Sequence, residues 1–286
     1  MTKEYIEFKK ERDLGAIISD AFKFIRLEGK EFFLTILKIS AIPILITVAS
    51  LVFILFSFSS FSFFYEDTPF DSAGFGLSVF IMMIAYLVTI VQVNLSGMYY
   101  IKSYIDYRGE IRYEEIKSNV YDKFWSFLGM GILIGLIFVA SMLFCFLPLI
   151  YTYPVLSLTA SIFVFESISA TDAIGKSFNF INGHFWETLG VVIVVAILVT
   201  ILGYIFQIPA FIYQMIHTGI GLGYEDPTEI GNLYRDPIYL ILYIVSIVGN
   251  LMFYSITLIT NVFLYFDINE QKNLTGTIEK IDSLGQ

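Results

Sequence analysis

Six apolar runs alternate with charged segments along the chain. They cover Phe33 to about Phe58, Leu77 to Ile101, Ser126 to Leu147, Leu149 to Phe165, Thr188 to Met215 and Ile238 to Phe266. A helix needs about 20 apolar residues to cross a bilayer core. Five runs exceed that; the fourth, at 17 residues, follows Pro148 and contains Pro154, so full crossing and a re-entrant hairpin are both open readings. Pro43 in the first run predicts a kink or local break rather than an end to the span. The runs take up 147 of 286 residues, leaving no room for a large soluble domain. The pattern predicts an all-α, polytopic integral membrane protein. Its six transmembrane helices would form three hairpins (33–266), after an N-terminal segment (1–32) and before a polar tail (267–286).

A second pattern precedes some of the runs. Leu14, Ile17, Ile18, Ala21, Phe22 and Ile25 form one apolar helical stripe, with Asp20, Lys23, Arg26 and Glu28 on the remaining face. Ala170, Ala173, Ile174, Ser177, Phe178 and Ile181 repeat that spacing at an offset of 156, and Phe24 maps onto Phe180. Each stripe leads to a Gly, a basic or imidazole residue and an aromatic pair: Gly29-Lys30 with Phe32-Phe33, and Gly183-His184 with Phe185-Trp186. A weaker third copy, Ile116-Lys117-Ser118 then Phe124-Trp125, precedes the third run. The pattern predicts three units of cytoplasmic amphipathic helix plus transmembrane hairpin. A plain membrane-surface helix with interfacial aromatics would give the same signal.

Charge adds orientation. With both termini on one side, that side receives 16 of the 17 basic residues, counting Lys38 at the start of the first span. The other side holds only Arg235 against Glu66, Asp67, Asp71, Glu225, Asp226, Glu229 and Asp236. The positive-inside rule therefore predicts cytoplasmic N- and C-termini. Composition agrees: 57% of residues are hydrophobic and only 15% charged, where a soluble domain carries roughly a quarter charged residues. A net charge of −9 excludes nucleic acid as a partner. One cysteine, Cys145, excludes an intramolecular disulfide, and the charged first 31 residues do not read as a cleavable signal peptide.

Phe165-Glu166-Ser167-x-x-Ala170-x-Asp172-Ala173-Ile174-x-Lys176-Ser177-Phe178, continuing to Asn182-Gly183-His184-Phe185-Trp186, carries a resemblance. So, more loosely, does Glu11-Arg12-Asp13-Leu14-Gly15-Ala16-Ile17. Both resemble bacterial multipass proteins related to the glycerophosphoryl diester phosphodiesterase membrane domain and to YciC-like proteins. There a Glu ends one span, an Ala-x-x-(Lys/Arg)-Ser helix follows, and a Phe/Trp-rich segment opens the next. The resemblance covers about 155–215 well and 11–33 loosely. It implies a compact six-span bundle in the bacterial inner (cytoplasmic) membrane. It does not imply the phosphodiesterase activity, because that belongs to a separate catalytic domain whose length and paired His and carboxylates this chain lacks.

Little points to chemistry. His184 and His217 fall on opposite predicted sides of the membrane, so no metal or cofactor site is expected. Gly219-x-Gly221-x-Gly223 follows a transmembrane helix rather than a strand and fails the dinucleotide-binding pattern. Gly131-x-x-x-Gly135 in the third span is a close-packing motif, expected to be used within the fold. The acidic, Pro-punctuated loop around Tyr224-Glu225-Asp226-Pro227 and Tyr234-Arg235-Asp236-Pro237 is either a partner surface or a solvated connection. Intramembrane ionisable groups usually mark transport or proton paths, and none is predicted mid-span. Amides stand there instead: Gln92, Asn94, Gln207 and Asn250, read either as glue between helices or as a polar pocket. Glu166, Lys176, His184 and Trp186 form a candidate interfacial motif. The expected function is a non-enzymatic scaffold or accessory subunit of an envelope complex, with no cofactor. Its partners would be the lipid bilayer and other membrane proteins. The alternative is a transporter, channel or lipid-handling protein with an amide-lined interior.

Overall fold

A computed structural model describes residues 4–60, 69–218 and 233–284. The loops bearing Glu66, Asp67, Glu225, Asp226, Glu229 and the Gly219–Gly223 motif lie outside those residues. Helices are α1 (Leu14–Ser60), α2 (Pro69–Asp106), α3 (Tyr113–Leu143), α4 (Leu147–Ser157), α5 (Thr159–Glu166), α6 (Ala170–Phe180), α7 (Phe185–Thr218), α8 (Pro237–Asn273) and α9 (Thr275–Leu284). There is no strand among the described residues. Six stretches are long and apolar enough to cross a membrane: α1, α2, α3, α4 with α5, α7 and α8. The protein is an all-α, six-span membrane protein.

The helices outrun the apolar runs. α1 begins at Leu14 rather than Phe33, so the first amphipathic stripe and the first span are one 47-residue helix that continues through Pro43. α3 begins at Tyr113 and α8 continues past Phe266 to Asn273. Hydropathy ends where charge begins, but Lys, Glu and Arg are good helix formers, so the backbone need not stop there. The fourth span is divided: α4 and α5 meet at Leu158, one turn after Pro154. Together they hold 20 residues, or ~30 Å of helix, enough for a bilayer core.

The chain divides into two compact units. The first comprises Met1–Ile39, Val91–Leu198 and Ser255–Gln286; the second comprises Ser40–Ile90 and Val199–Tyr254. Within the first, α3 runs against α4 and α5 as a hairpin, with ring pairs Phe138–Tyr153 and Phe127–Phe163 at 6.1 and 5.8 Å. α1 and α2 meet there through Phe24–Tyr104 and Phe32–Tyr100 at 5.3 and 5.2 Å. Gly97 permits a close approach, since a Cβ there would lie 3.1 Å from Leu258 Cδ1. Within the second unit, Thr47 and Thr89 hydroxyls bond at 2.9 Å between α1 and α2. α7 and α8 pack there through glycine: a Cβ on Gly249 would lie 2.3 Å from Phe206 Cγ, and one on Gly203 2.5 Å from Asn250 Oδ1. Gly131 and Gly135 do the opposite of what their spacing predicts. Among the described residues, a Cβ on either would meet nothing within 4 Å, so they face open space.

The two amphipathic copies bury matching positions. Ile17 and Ala173, Ala21 and Ser177, and Phe24 and Phe180 are all buried. The caps match too: Asp13 Oδ1 accepts from Ala16 N at 2.7 Å, and Ser169 Oγ accepts from Asp172 N at 3.2 Å. The copies then diverge. α1 continues through Gly29, whereas the second copy turns at Asn182-Gly183, with Gly183 at φ +87°, before α7 begins. The buried stripe of α1 is also rotated from the predicted one. It follows Ile17, Ala21, Phe24, Glu28 and Phe32, so Glu28 is 1% exposed rather than on the polar face. Tyr100 Oη donates to its Oε2 at 3.1 Å.

Candidate functional site

The four amides are divided between the two units. Gln92 and Asn94 belong to the first unit, Gln207 and Asn250 to the second. On α2, Gln92 and Asn94 are two residues apart, about 200° around the helix, so they point to opposite sides. Gln92 is buried, and its Oε1 has no hydrogen-bond partner among the described residues. Asn250 is half-buried against Gly203 and returns its Nδ2 to Ser246 O at 2.9 Å. Gln207, one turn beyond Gly203, is exposed.

Two residues of the interfacial motif, Glu166 and Lys176, meet. Ser167 ends α5 in the left-handed region at φ 55° and turns the chain into α6. Glu166 pairs with Lys176 across that turn and accepts from Tyr265 Oη on α8 at 3.3 Å. Lys102 Nζ donates to Val164 O at 2.9 Å, and Lys272 Nζ donates to Phe180 O at 2.7 Å. Each lysine thus satisfies a carbonyl at a helix C-terminus, where a cation is favoured. His184 Nδ1 faces Glu187 Oε2 at 3.5 Å, and Trp186 projects outward at 80% exposure. These contacts fasten α6 beneath α8 and leave Trp186 as an interfacial aromatic.

A second polar cluster was missed from the sequence. Residues 4–13 form an extended strap rather than a solvated end. Phe8 is 1% exposed, stacked on Phe263 at 4.2 Å with Phe24, Tyr104 and Phe266 at its edges. Ile6 N donates to Tyr104 Oη at 2.9 Å, and Arg12 N donates to Asp267 Oδ1 at 2.7 Å. The Arg12 guanidinium, 6% exposed, donates to Phe8 O at 2.7 Å, to Glu7 O and to Asp20 Oδ2 at 2.9 Å, and lies 4.6 Å from the Phe263 ring centre. Burial lowers the Arg12 pKa, which the Asp20 contact opposes; an arginine stays charged regardless. The available signal was the alternation of Ile6 and Phe8 with Glu7 and Lys9, which is a strand-like period of two.

The C-terminus closes over the strap. Glu270 accepts from Gly276 N at 2.7 Å, Thr277 N at 2.8 Å and Thr277 Oγ1 at 2.6 Å, turning α8 into α9. From α9, Glu279 pairs with Lys9 and Lys280 with Glu7, the latter at 2.6 Å. Between strap, α9 and the end of α2 lies a cavity of about 400 Å³. No group of three or more His, Cys, Asp or Glu side chains able to hold a metal occurs among the described residues. No protein-family model, no curated protein and no solved structure matches the chain.

Proposed function

We propose that this chain is a non-enzymatic scaffold or accessory subunit of an envelope complex. It sits in a bacterial inner membrane with both termini cytoplasmic, in keeping with its resemblance to the YciC-like multipass proteins. The observation that carries the reading is where its polar side chains go. Thr47 on α1 bonds Thr89 on α2, and Lys102 and Lys272 cap neighbouring helices. Polar groups used to fasten helices suit a rigid body that presents surfaces. Gly131 and Gly135 add a surface of the right kind, a pair of small residues on α3 with no neighbour within 4 Å among the described residues. A transmembrane helix of another subunit is the occupant it suits.

The test is purification in mild detergent with a cysteine at position 131 in a Cys145→Ser background. A stoichiometric partner that crosslinks through that cysteine supports the reading. Purification of the bare monomer from native membranes, with no crosslink, overturns it. The second reading is a transporter, channel or lipid-handling protein. One observation favours it, the buried Gln92 Oε1 with no hydrogen-bond donor among the described residues. Loss of a measured flux or lipid-binding activity in Gln92→Leu would support that reading; full retention would end it.

A further inference from the structure

The cavity beneath the closed termini carries an inference beyond the scaffold reading. Its lining includes Tyr5, Glu7 and Lys9 of the strap, Arg108 after α2, and Glu279 and Lys280 of α9. Three of these side chains are cationic and two anionic. The pairs Lys9–Glu279 and Lys280–Glu7 cancel within the wall. Arg108 is left over: it is exposed and makes no ion pair among the described residues. We propose that this cavity binds a phosphate-bearing anion, with the Arg108 guanidinium as its principal contact.

Several features fit that ligand class. A guanidinium presents a planar fork that matches phosphate oxygens in a bidentate manner. A cavity of about 400 Å³ lies within the usual range for small-ligand sites. The backbone at Arg108 is also unusual. Its φ is 49°, in the left-handed region, and the following Gly109 is at φ 96°. The turn is held by Gly109 N donating to Tyr104 O at 2.8 Å. A non-glycine residue in that region carries strain and is found disproportionately at ligand-binding positions. Here the strained turn places Arg108 at the mouth of the cavity. Tyr5 stacks on Tyr104 at 5.1 Å and supplies a phenol beside it. Burial pushes that phenol up to about 12, so it keeps its proton as a donor.

A phosphodiester of a membrane lipid headgroup and a soluble phosphate monoester share this chemistry. Two arms of one experiment separate them, each reading the thermal unfolding midpoint of the full-length protein in detergent, where a ligand that binds only the folded state raises the midpoint. The first adds inorganic phosphate or glycerol phosphate against sodium chloride at equal ionic strength. The second dopes the micelles with phosphatidylglycerol against diacylglycerol, which lacks the phosphate. A rise of a few degrees in either arm is expected, and the arm in which it occurs identifies the source. Arg108→Gln should weaken the apparent affinity about tenfold, the loss of roughly 1.4 kcal/mol. Arg108→Gly, which suits the left-handed backbone, should lose the shift while folding normally. Arg112→Gln, whose guanidinium lies 3.5 Å over the Tyr107 ring, should leave the shift intact. The proposal is overturned if neither arm exceeds its control, if Arg108→Gly retains the full shift, or if Arg112→Gln loses as much.

Discussion

Replacing Phe8 with Ala removes the ring that anchors the strap. Phe8 is 1% exposed and touches four other rings, with Phe263 stacked at 4.2 Å. A buried Phe→Ala change costs about 3–5 kcal/mol through lost transfer free energy and the cavity left behind. The strap can leave as a unit, so the loss should appear as local opening before global unfolding. The lower bound, about 3 kcal/mol, is a factor of more than a hundred in an opening equilibrium. Two amides report on it: Ile6 N, bonded to Tyr104 Oη, and Arg12 N, bonded to Asp267 Oδ1. Hydrogen–deuterium exchange of the detergent-solubilised protein should show both accelerated at least a hundredfold, while amides in the middle of α3 keep their rates. Phe8→Leu should recover most of the protection. A change below tenfold at both amides in Phe8→Ala would refute the reasoning, because the ring would then not be what holds the strap.

Three further outcomes follow from named contacts. Glu270 lies beyond the apolar run that ends at Phe266. Burial acts to raise its pKa, but hydrogen bonds from Thr277, Gly276 and Thr275 outweigh that and hold it below the usual carboxylate value. Its contribution is therefore fully present above the unfolded value of about 4.3 and lost as pH falls through the lower folded value. Exchange across 275–282 should accelerate in that acid window, and Glu270→Gln should reproduce the acceleration at pH 7, at a cost of about 1–2 kcal/mol for the lost cap. Gly249→Ala should destabilise by about 1–3 kcal/mol, because the new methyl meets the base of the Phe206 ring; Gly131→Ala, facing open space, should leave the monomer's unfolding in mixed micelles unchanged. Tyr100→Phe should cost about 1–3 kcal/mol in the same assay, since it takes a donor from the buried Glu28 carboxylate.

The six spans were legible because an apolar run of bilayer length admits few other structures. Their ends were less so, since hydropathy reports the solvent and not the helix. Leu14–Phe32 reads as a separate surface helix for that reason, although its backbone continues into the span. Glu28 was placed on the polar face by periodicity; a glutamate is buried when a phenol such as Tyr100 waits 72 residues away, a distance no local pattern senses. The same limit hid Arg12, whose partners Asp267 and Phe263 lie near the other end of the chain. The spacing of Gly131 and Gly135 predicts close packing within the fold, but a Cβ on either would meet nothing within 4 Å among the described residues. Of the candidate residues, Glu166 and Lys176 meet because a left-handed Ser167 folds the chain back between them. Gln92 and Asn94 point to different sides of α2 because two residues are more than half a helical turn.

The closure of the strap by α9 bears on how this chain is made. Ile6 finds Tyr104, but Arg12 waits for Asp267 and Lys9 for Glu279, separations of 255 and 270 residues. The strap cannot complete these contacts until Asp267 and Glu279 have also emerged from the ribosome. Throughout synthesis Phe8 and its neighbours are without α8, an interval in which an aromatic segment invites a chaperone or a protease. A chain cut short before Phe263 would therefore leave Phe8 and Arg12 without the ring and carboxylate they pack on.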